Sequence, residues 1–271
     1  MGAVAVQEDT FGELLRSWRQ RRRVSQLDLA IEAEVSARHI SFLETGRARP
    51  SREMVMKLAE ELEVPLRQRN RLLMAAGFAP VYPEREVRAP EMEVVRQALD
   101  KILTSHEPYP AVVVDAVWNL VAANSAAAMF MEGVPAELLR EPINVMRLSL
   151  HPQAMGGRLL NLAEVRAYLL HQLRRQVEMS GNGPLAELYE ELVSYRYPGV
   201  DLNVAHVPSP ADILIPLRIA DGDRVLSMFT TIATFGTPVD VTVSELAIET
   251  FWPGDEETAA AFHRRGPVVT A

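Results

Sequence analysis

Three residues, Glu34 to Ser36, separate two stretches that each carry the markings of a short helix, and no other feature of the chain restricts its fold as tightly. Ser25 stands three residues before Asp28, the spacing of a capping box, with Val24 and Leu29 in the staple positions on either side. The pattern recurs at once: Ser36 caps the next helix, Val35 and Ile40 staple it, and Gly46 falls where a helix end wants a left-handed residue. A connection that tight makes the two helices cross steeply, as in a helix-turn-helix. Around this pair the same grammar continues. Thr10 and Glu13 open an earlier helix with the stripe Leu14, Leu15 and Trp18, ending near Arg22. A later one follows Pro50 and Ser51 with Val55, Leu58, Ala59 and Leu62 on one face, and a last one runs from about Leu66 to Gly77.

Residues 78–90, FAPVYPEREVRAP, hold three prolines and four charges without periodicity and read as a linker. The 271 residues are enough for two domains of ordinary size. The expected organisation is an all-α domain over 1–77, the linker 78–90, and a second domain over 91–271 that opens with a helix at 91–104. On that helix Met92, Val95, Leu99 and Ile102 form an a/d seam, which either joins two subunits or packs on the domain that follows. From Tyr109 the pattern turns to strands: AVVVD, then WNLVAAN, with Asn124 placed to cap a helix through Phe130. Helical patterns occupy about 142–149, 161–180 and 184–195. Strands return as ADILIPLRIA and RVLSMFTTIATF, joined by the hairpin signal Asp221-Gly222-Asp223, and then as DVTVSELAIETFW. Strand pairs at both ends with helices between them predict an α+β domain on one antiparallel sheet.

The net charge of −8 conceals a gradient. Residues 11–52 carry nine basic side chains, all Arg, against five acidic ones, whereas residues 81–271 carry 15 against 25. The absence of Cys removes disulfide scaffolds and thiolate chemistry and suits a reducing, cytoplasmic setting. No membrane span or export signal is expected. The six histidines show no paired ligand spacing, and there is no Walker loop or GxSxG elbow, so no catalytic residue, metal or cofactor is expected. Gly181-Asn182-Gly183 imitates a dinucleotide fingerprint but follows a helical segment instead of a strand.

Residues 11–62, and within them SQLDLAIEAEVSARHISFLETGRARPS, resemble the Cro and lambda-repressor-like helix-turn-helix regulators, the xenobiotic-response-element family. The resemblance rests on Ser25-Gln26, Leu29-Ala30, Ile40, Leu43-Glu44, Gly46 and Pro50; the chain departs from it at Glu34, where the family usually has Gly. It implies binding to double-stranded DNA, with the helix after Ser36 entering the major groove by its N-terminal end. The expected DNA-facing residues are Gln26, Ser36, Ala37, Arg38, His39, Ser41 and Phe42, with Arg47 and Arg49 on phosphate. Arg38 is the leading base reader because its fork grips guanine O6 and N7. The resemblance also implies that Glu44 pairs with Arg19. Arg21, Arg22 and Arg23 cannot share one helical face, so they form either a phosphate stripe or a solvated helix end.

Segments PAVVVDAVWNLVAANSAAAMF, NVMRLSLHP and FTTIATFGTPVDVTVSELAIETFWP, within about residues 105–262, resemble the MmyB-like ligand-binding domain, a PAS-like fold. That resemblance implies a sensor enclosing a small apolar or amphipathic ligand, such as a fatty-acid-like molecule. The candidate pocket residues are Trp118, Met146, Arg147 as a carboxylate partner, His151, Phe229 and Phe235. The expected protein is therefore multidomain: an all-α lambda-repressor-like helix-turn-helix domain, then an α+β PAS-like domain. Its expected role is a ligand-modulated transcriptional regulator and not an enzyme, acting as a homodimer on an inverted-repeat operator. The alternative is an antitoxin-like or partner-regulated module whose second domain binds another protein.

Overall fold

The computed structural model describes residues 9–180, 182–202 and 214–265. Gly181 of the dinucleotide-like run, His206, and residues 211–213 of the expected strand ADILIPLRIA lie outside the described residues, as do 1–8 and 266–271 at the ends of the expected domains. The chain divides into two compact units whose main break falls between Arg85 and Glu86.

The first unit consists of α1 (Phe11–Arg21), α2 (Gln26–Glu32), α3 (Ala37–Glu44), α4 (Arg52–Glu61) and α5 (Leu66–Ala75). Side-chain hydroxyls of Thr10, Ser25, Ser36 and Ser51 cap the first four by accepting from the backbone amide three residues on. The other ends share one device. At each of the five C-termini the amide beyond a left-handed residue reaches back to a carbonyl five residues earlier: Val24 to Arg19, Val35 to Ala30, Arg47 to Phe42, Val64 to Ala59 and Phe78 to Leu73, at 2.8–3.1 Å. The left-handed positions are Arg23, Glu34, Gly46, Glu63 and Gly77. Glu34, where the resembled family carries Gly, thus sits at φ 54°, and its carboxylate meets Lys57 Nζ at 2.7 Å. Leu15, Leu29, Ile40, Leu43, Leu58, Leu62, Leu72 and Leu73 fill the core. Buried Gly12 lets α1 lie directly against the end of α3: a Cβ there would stand 2.7 Å from the carbonyl oxygens of Leu43 and Glu44.

No helix or strand occurs from Phe78 to Ala89, yet this stretch is anchored. Asn70 of α5 accepts from the amides of Val81 and Tyr82 and donates to the Tyr82 carbonyl, and Arg67 pairs with Glu84 at 2.7 Å. Farther on, Arg96 of α6 (Glu93–Ser105) donates to the carbonyls of Val87 and Ala89, both at 2.7 Å.

The second unit is built on one curled, wholly antiparallel sheet of β1 (Ala111–Val114), β2 (Leu120–Ala123), β3 (Leu217–Asp221), β4 (Arg224–Thr234) and β5 (Ala247–Pro253), in the order β2-β1-β5-β4-β3. This is the PAS-like α+β arrangement that the resemblance implies. Gly222 turns the β3–β4 hairpin with φ 59° at the first of its two loop residues, where a side chain would be strained. Alternation along the strands sends Val112, Val114, Leu226, Met228 and Phe251 to one face, covered by α7 (Val145–Leu150), α8 (Leu162–Ser180) and α9 (Gly183–Ser194). Ala111, Val113 and Ile248 on the other face meet Leu99 and Leu103 of α6. The seam helix therefore covers its own sheet, and Ile102, expected in the seam, is exposed while Leu103 takes the buried place. A short α11 (Glu256–Arg265) closes the unit.

Two expected strands are shorter than their patterns: in ADILIPLRIA the described residues 214–216 carry no strand and β3 starts only at Leu217. DVTVSELAIETFW begins with the short helix α10 (Val241–Glu245), and the strand starts only at Ala247. Its neighbours explain the limit: β1 ends its pairing at Val114 opposite Ala247, and β4 ends at Thr234 opposite the same residue. Without a ladder on either side, the preceding residues satisfy their backbone groups as a helical turn.

Candidate nucleic-acid interface and ligand cavity

On α3, Ile40, Leu43 and Glu44 face the core. At about 100° per residue, Ala37, Ser41, Thr45, Arg38 and Phe42 then share an outward arc of roughly 140°. Arg38 and Thr45 are exposed and Ala37, Ser41 and Phe42 partly so; His39 falls to the flank of the arc. The Arg38 guanidinium lies over the Phe42 ring at 5.1 Å from its centroid, which holds the fork on the helix surface, and it makes no ion pair with any described residue. Ser36 serves the helix itself, its Oγ accepting from His39 N at 3.1 Å. Arg47 and Arg49 are exposed in the turn after α3, whose direction Gly46 fixes at φ 70°.

Beneath this surface lies one buried carboxylate. Glu44 has no exposed side-chain surface and receives Arg19 Nε at 2.6 Å, Arg19 Nη2 at 3.0 Å, Gln26 Nε2 at 2.7 Å and Arg16 Nε at 3.4 Å. Burial pushes its carboxyl up, but the hydrogen bonds from Arg19 and Gln26, the Arg19 charge and the Arg16 bond outweigh that and hold it below the ordinary Glu range. The Arg19 to Glu44 pair implied by the resemblance is present. Gln26 is tied to the same carboxylate through its amide nitrogen, so the first residue of α2 and the last of α3 are locked in register. Arg22 is engaged within the unit: it donates to the carbonyls of Leu62 and Glu63 at 2.8 and 2.7 Å, closing the end of α4, and together with Arg21 it flanks Trp18.

In the second unit two adjoining cavities open between the sheet and α7 and α8. They are narrow, with cavity volumes of about 50 and 60 Å³, and share Val145, Ser149, Val165, Leu217 and Phe251 as a common wall. Trp118 and Met146 line the second cavity as expected. Trp118 does so from a strained backbone, φ 67°, held by Asp115 accepting from Val117 N and Asn119 N and by its own indole bond to Gln176 Oε1 at 2.8 Å.

The other four expected pocket residues lie elsewhere. Arg147 already holds a carboxylate, bonding Glu191 through Nε and Nη2 at 2.7–2.9 Å, with Tyr195 OH on the same group. His151 stacks edgewise on Tyr195. Phe229 is an odd position on β4, opposite Trp252, and so turns away from the cavity face. Phe235 packs with the Leu99 and Leu103 cluster on the other side of the sheet.

Sequence reasoning missed Thr230, Glu249 and Phe251, which do line the cavity. Alternation in β5 offers two faces, Ala247/Glu249/Phe251 or Ile248/Thr250/Trp252, and hydrophobicity favours the second. Only the register shows that the first faces the cavity while Ile248 is taken by α6. Burial pushes the Glu249 carboxyl from 4.5 up to about 7, against a weaker downward pull from the Thr230 hydroxyl.

The sequence profile of the MmyB-like transcription regulator ligand binding domain matches residues 95–264, and that of a helix-turn-helix domain matches residues 10–72. The chain belongs to the MmyB-like transcription regulators. Among relatives, RghRB of Bacillus subtilis strain 168, an uncharacterized HTH-type transcriptional regulator, is 30% identical over 116 residues, 42% of this chain and 75% of that protein. The HTH-type transcriptional repressor RghR of the same organism is 37% identical over 83 residues, 30% of this chain and 58% of its own length. This MmyB-like regulator therefore joins a helix-turn-helix DNA-binding domain to a ligand-binding domain. Among the described residues, no helix is long and apolar enough to cross a membrane.

Proposed function

We propose that two copies of this regulator bind one inverted-repeat operator, each setting α3 into the major groove. The observation that carries this reading is the outward arc of α3, on which Arg38 is exposed, unpaired among the described residues and stacked on Phe42. Arg38 reads guanine O6 and N7, Ala37 meets a thymine methyl, and Ser41, Phe42 and His39 complete the groove surface. Gln26 and Ser36 bring the N-termini of α2 and α3 to the backbone, and Arg47 and Arg49 neutralise phosphates. Two copies are required because one eight-residue helix spans only a few base pairs. A small apolar or amphipathic molecule in the second-unit cavity changes this binding by favouring one arrangement of the domains over another, relayed through residues 78–90 and α6.

Selection from a random duplex library, followed by footprinting and native mass spectrometry, tests the reading. Two chains per duplex on half-sites about 34 Å apart, with affinity falling steeply as salt rises, are expected. One chain on an unrepeated site, or binding indifferent to salt, would overturn it.

A further inference from the structure

We propose that the ligand of the second unit is a slender lipophilic amine, whose protonated nitrogen rests on the Glu249 carboxylate at the sheet wall of the cavity. The inference deepens, and rests on, the reading of this unit as a ligand-binding domain.

The placement of Glu249 is what calls for a ligand. It lies in β5, a central strand with hydrogen-bonded neighbours on both sides, at a position facing the apolar layer of the unit. Around it the cavity is walled by Trp118, Val145, Met146, Val165, Leu217 and Phe251. Acidic side chains in such places are paired or absent, because an ionised carboxylate without a partner loses its hydration and gains nothing in return. Glu249 has a hydroxyl, Thr230, and no cation: among the described residues lining either cavity there is no Lys, Arg or His. A plain core position would be served as well by Leu or Gln. A carboxyl kept here either holds its proton or meets a cation, and an incoming molecule can bring that cation.

The same inventory decides among headgroups. A fatty-acid carboxylate entering this cavity finds no cation among the described lining residues and meets Glu249 as a like charge. An alcohol gains one ordinary hydrogen bond. An alkylammonium gains a charge-assisted bond and restores the ionised form of a carboxyl that burial has pushed up to about 7. Thr230, Ser149 and Tyr168, the remaining polar groups of this cavity, offer hydroxyl oxygens to the other ammonium hydrogens.

The test titrates the full chain at pH 8 with octylamine, octanol and octanoate, which share one tail and differ in headgroup, by isothermal calorimetry. Octylamine is expected to bind at least about tenfold tighter than either of the others. Glu249→Gln is expected to remove that advantage while leaving octanol within about threefold. The headgroup order of the unmutated chain decides the matter even where the variant folds poorly. Octanoate or octanol binding as tightly as octylamine overturns the inference and leaves the ligand-binding reading of the cavity standing. If none of the three binds up to its solubility limit, that reading falls and the inference falls with it. An amine preference that survives in a folded Glu249→Gln chain, confirmed by its melting profile, also overturns the inference.

Discussion

Glu44→Ala removes the acceptor on which α1, α2 and α3 converge, and its cost follows from what is left behind. The Arg19 side chain is only 13% exposed, so the substitution strands a largely buried guanidinium; its bond to the Val24 carbonyl at 2.9 Å remains. Removing one partner of a buried ion pair costs about 3–5 kcal/mol, and the surviving carbonyl bond argues for the lower end, about 3 kcal/mol. The bond from Arg16, which is 47% exposed, adds little. For a unit of this size each kcal/mol moves the midpoint by about 4–8 °C, so the first-unit transition should fall by roughly 12–24 °C. Scanning calorimetry of the full chain reads this directly. The wild-type pair is also acid-sensitive. Because the Glu44 carboxyl is held below its ordinary 4.5, its stabilisation is complete above that value and is lost as the pH falls through the lowered one. The Ala variant should lack this acid-dependent loss. A shift under about 4 °C at neutral pH, or the same acid profile in both proteins, would refute the reasoning.

Three further perturbations have definite signs. Gly12→Ala forces a methyl to within 2.7 Å of two backbone carbonyls that cannot rotate away, and should destabilise the first unit by about 3 kcal/mol in denaturant titration; a loss under 1 kcal/mol contradicts the close approach of α1 and α3. Glu63→Gly relieves a left-handed φ of 45°, a strain of about 1–2 kcal/mol offset in part by the chain entropy of glycine, and should raise first-unit stability by about 0.5–1 kcal/mol; a lowered midpoint contradicts it. For Glu249 the folded state keeps a proton that the unfolded chain releases between pH 4.5 and about 7, so second-unit stability should fall across that window by up to about 3 kcal/mol. Glu249→Gln should flatten this profile in melts from pH 5 to 8, and parallel profiles would contradict the burial of the carboxyl.

What the sequence makes legible is what local chemistry encodes. The caps at Thr10, Ser25, Ser36 and Ser51 are each satisfied by neighbours three residues away, so the first four helices of the first unit can be placed from spacing alone. The outward arc of α3 follows from its buried stripe. The Arg19 and Glu44 pair, by contrast, joins residues 25 apart and enters only through family resemblance. The close approach at Gly12 leaves no trace in periodicity. The cavity is the least legible element because its wall depends on register: a shift of one residue exchanges Phe229 for Thr230 and Ile248 for Glu249. Arg147 shows the other limit, since an arginine that looks free in sequence has Glu191 waiting 44 residues away.

The central claim is that α3 reads base edges through Arg38. The most direct measurement is a comparison of wild type and Arg38→Ala on the same randomised operator library, with melting curves taken in parallel. Preference for guanine should relax at one symmetric pair of positions by about 5- to 150-fold, the equivalent of 1–3 kcal/mol, while the melting temperature stays nearly constant because the side chain is exposed. Identical sequence preferences and affinities for the two proteins would contradict the account.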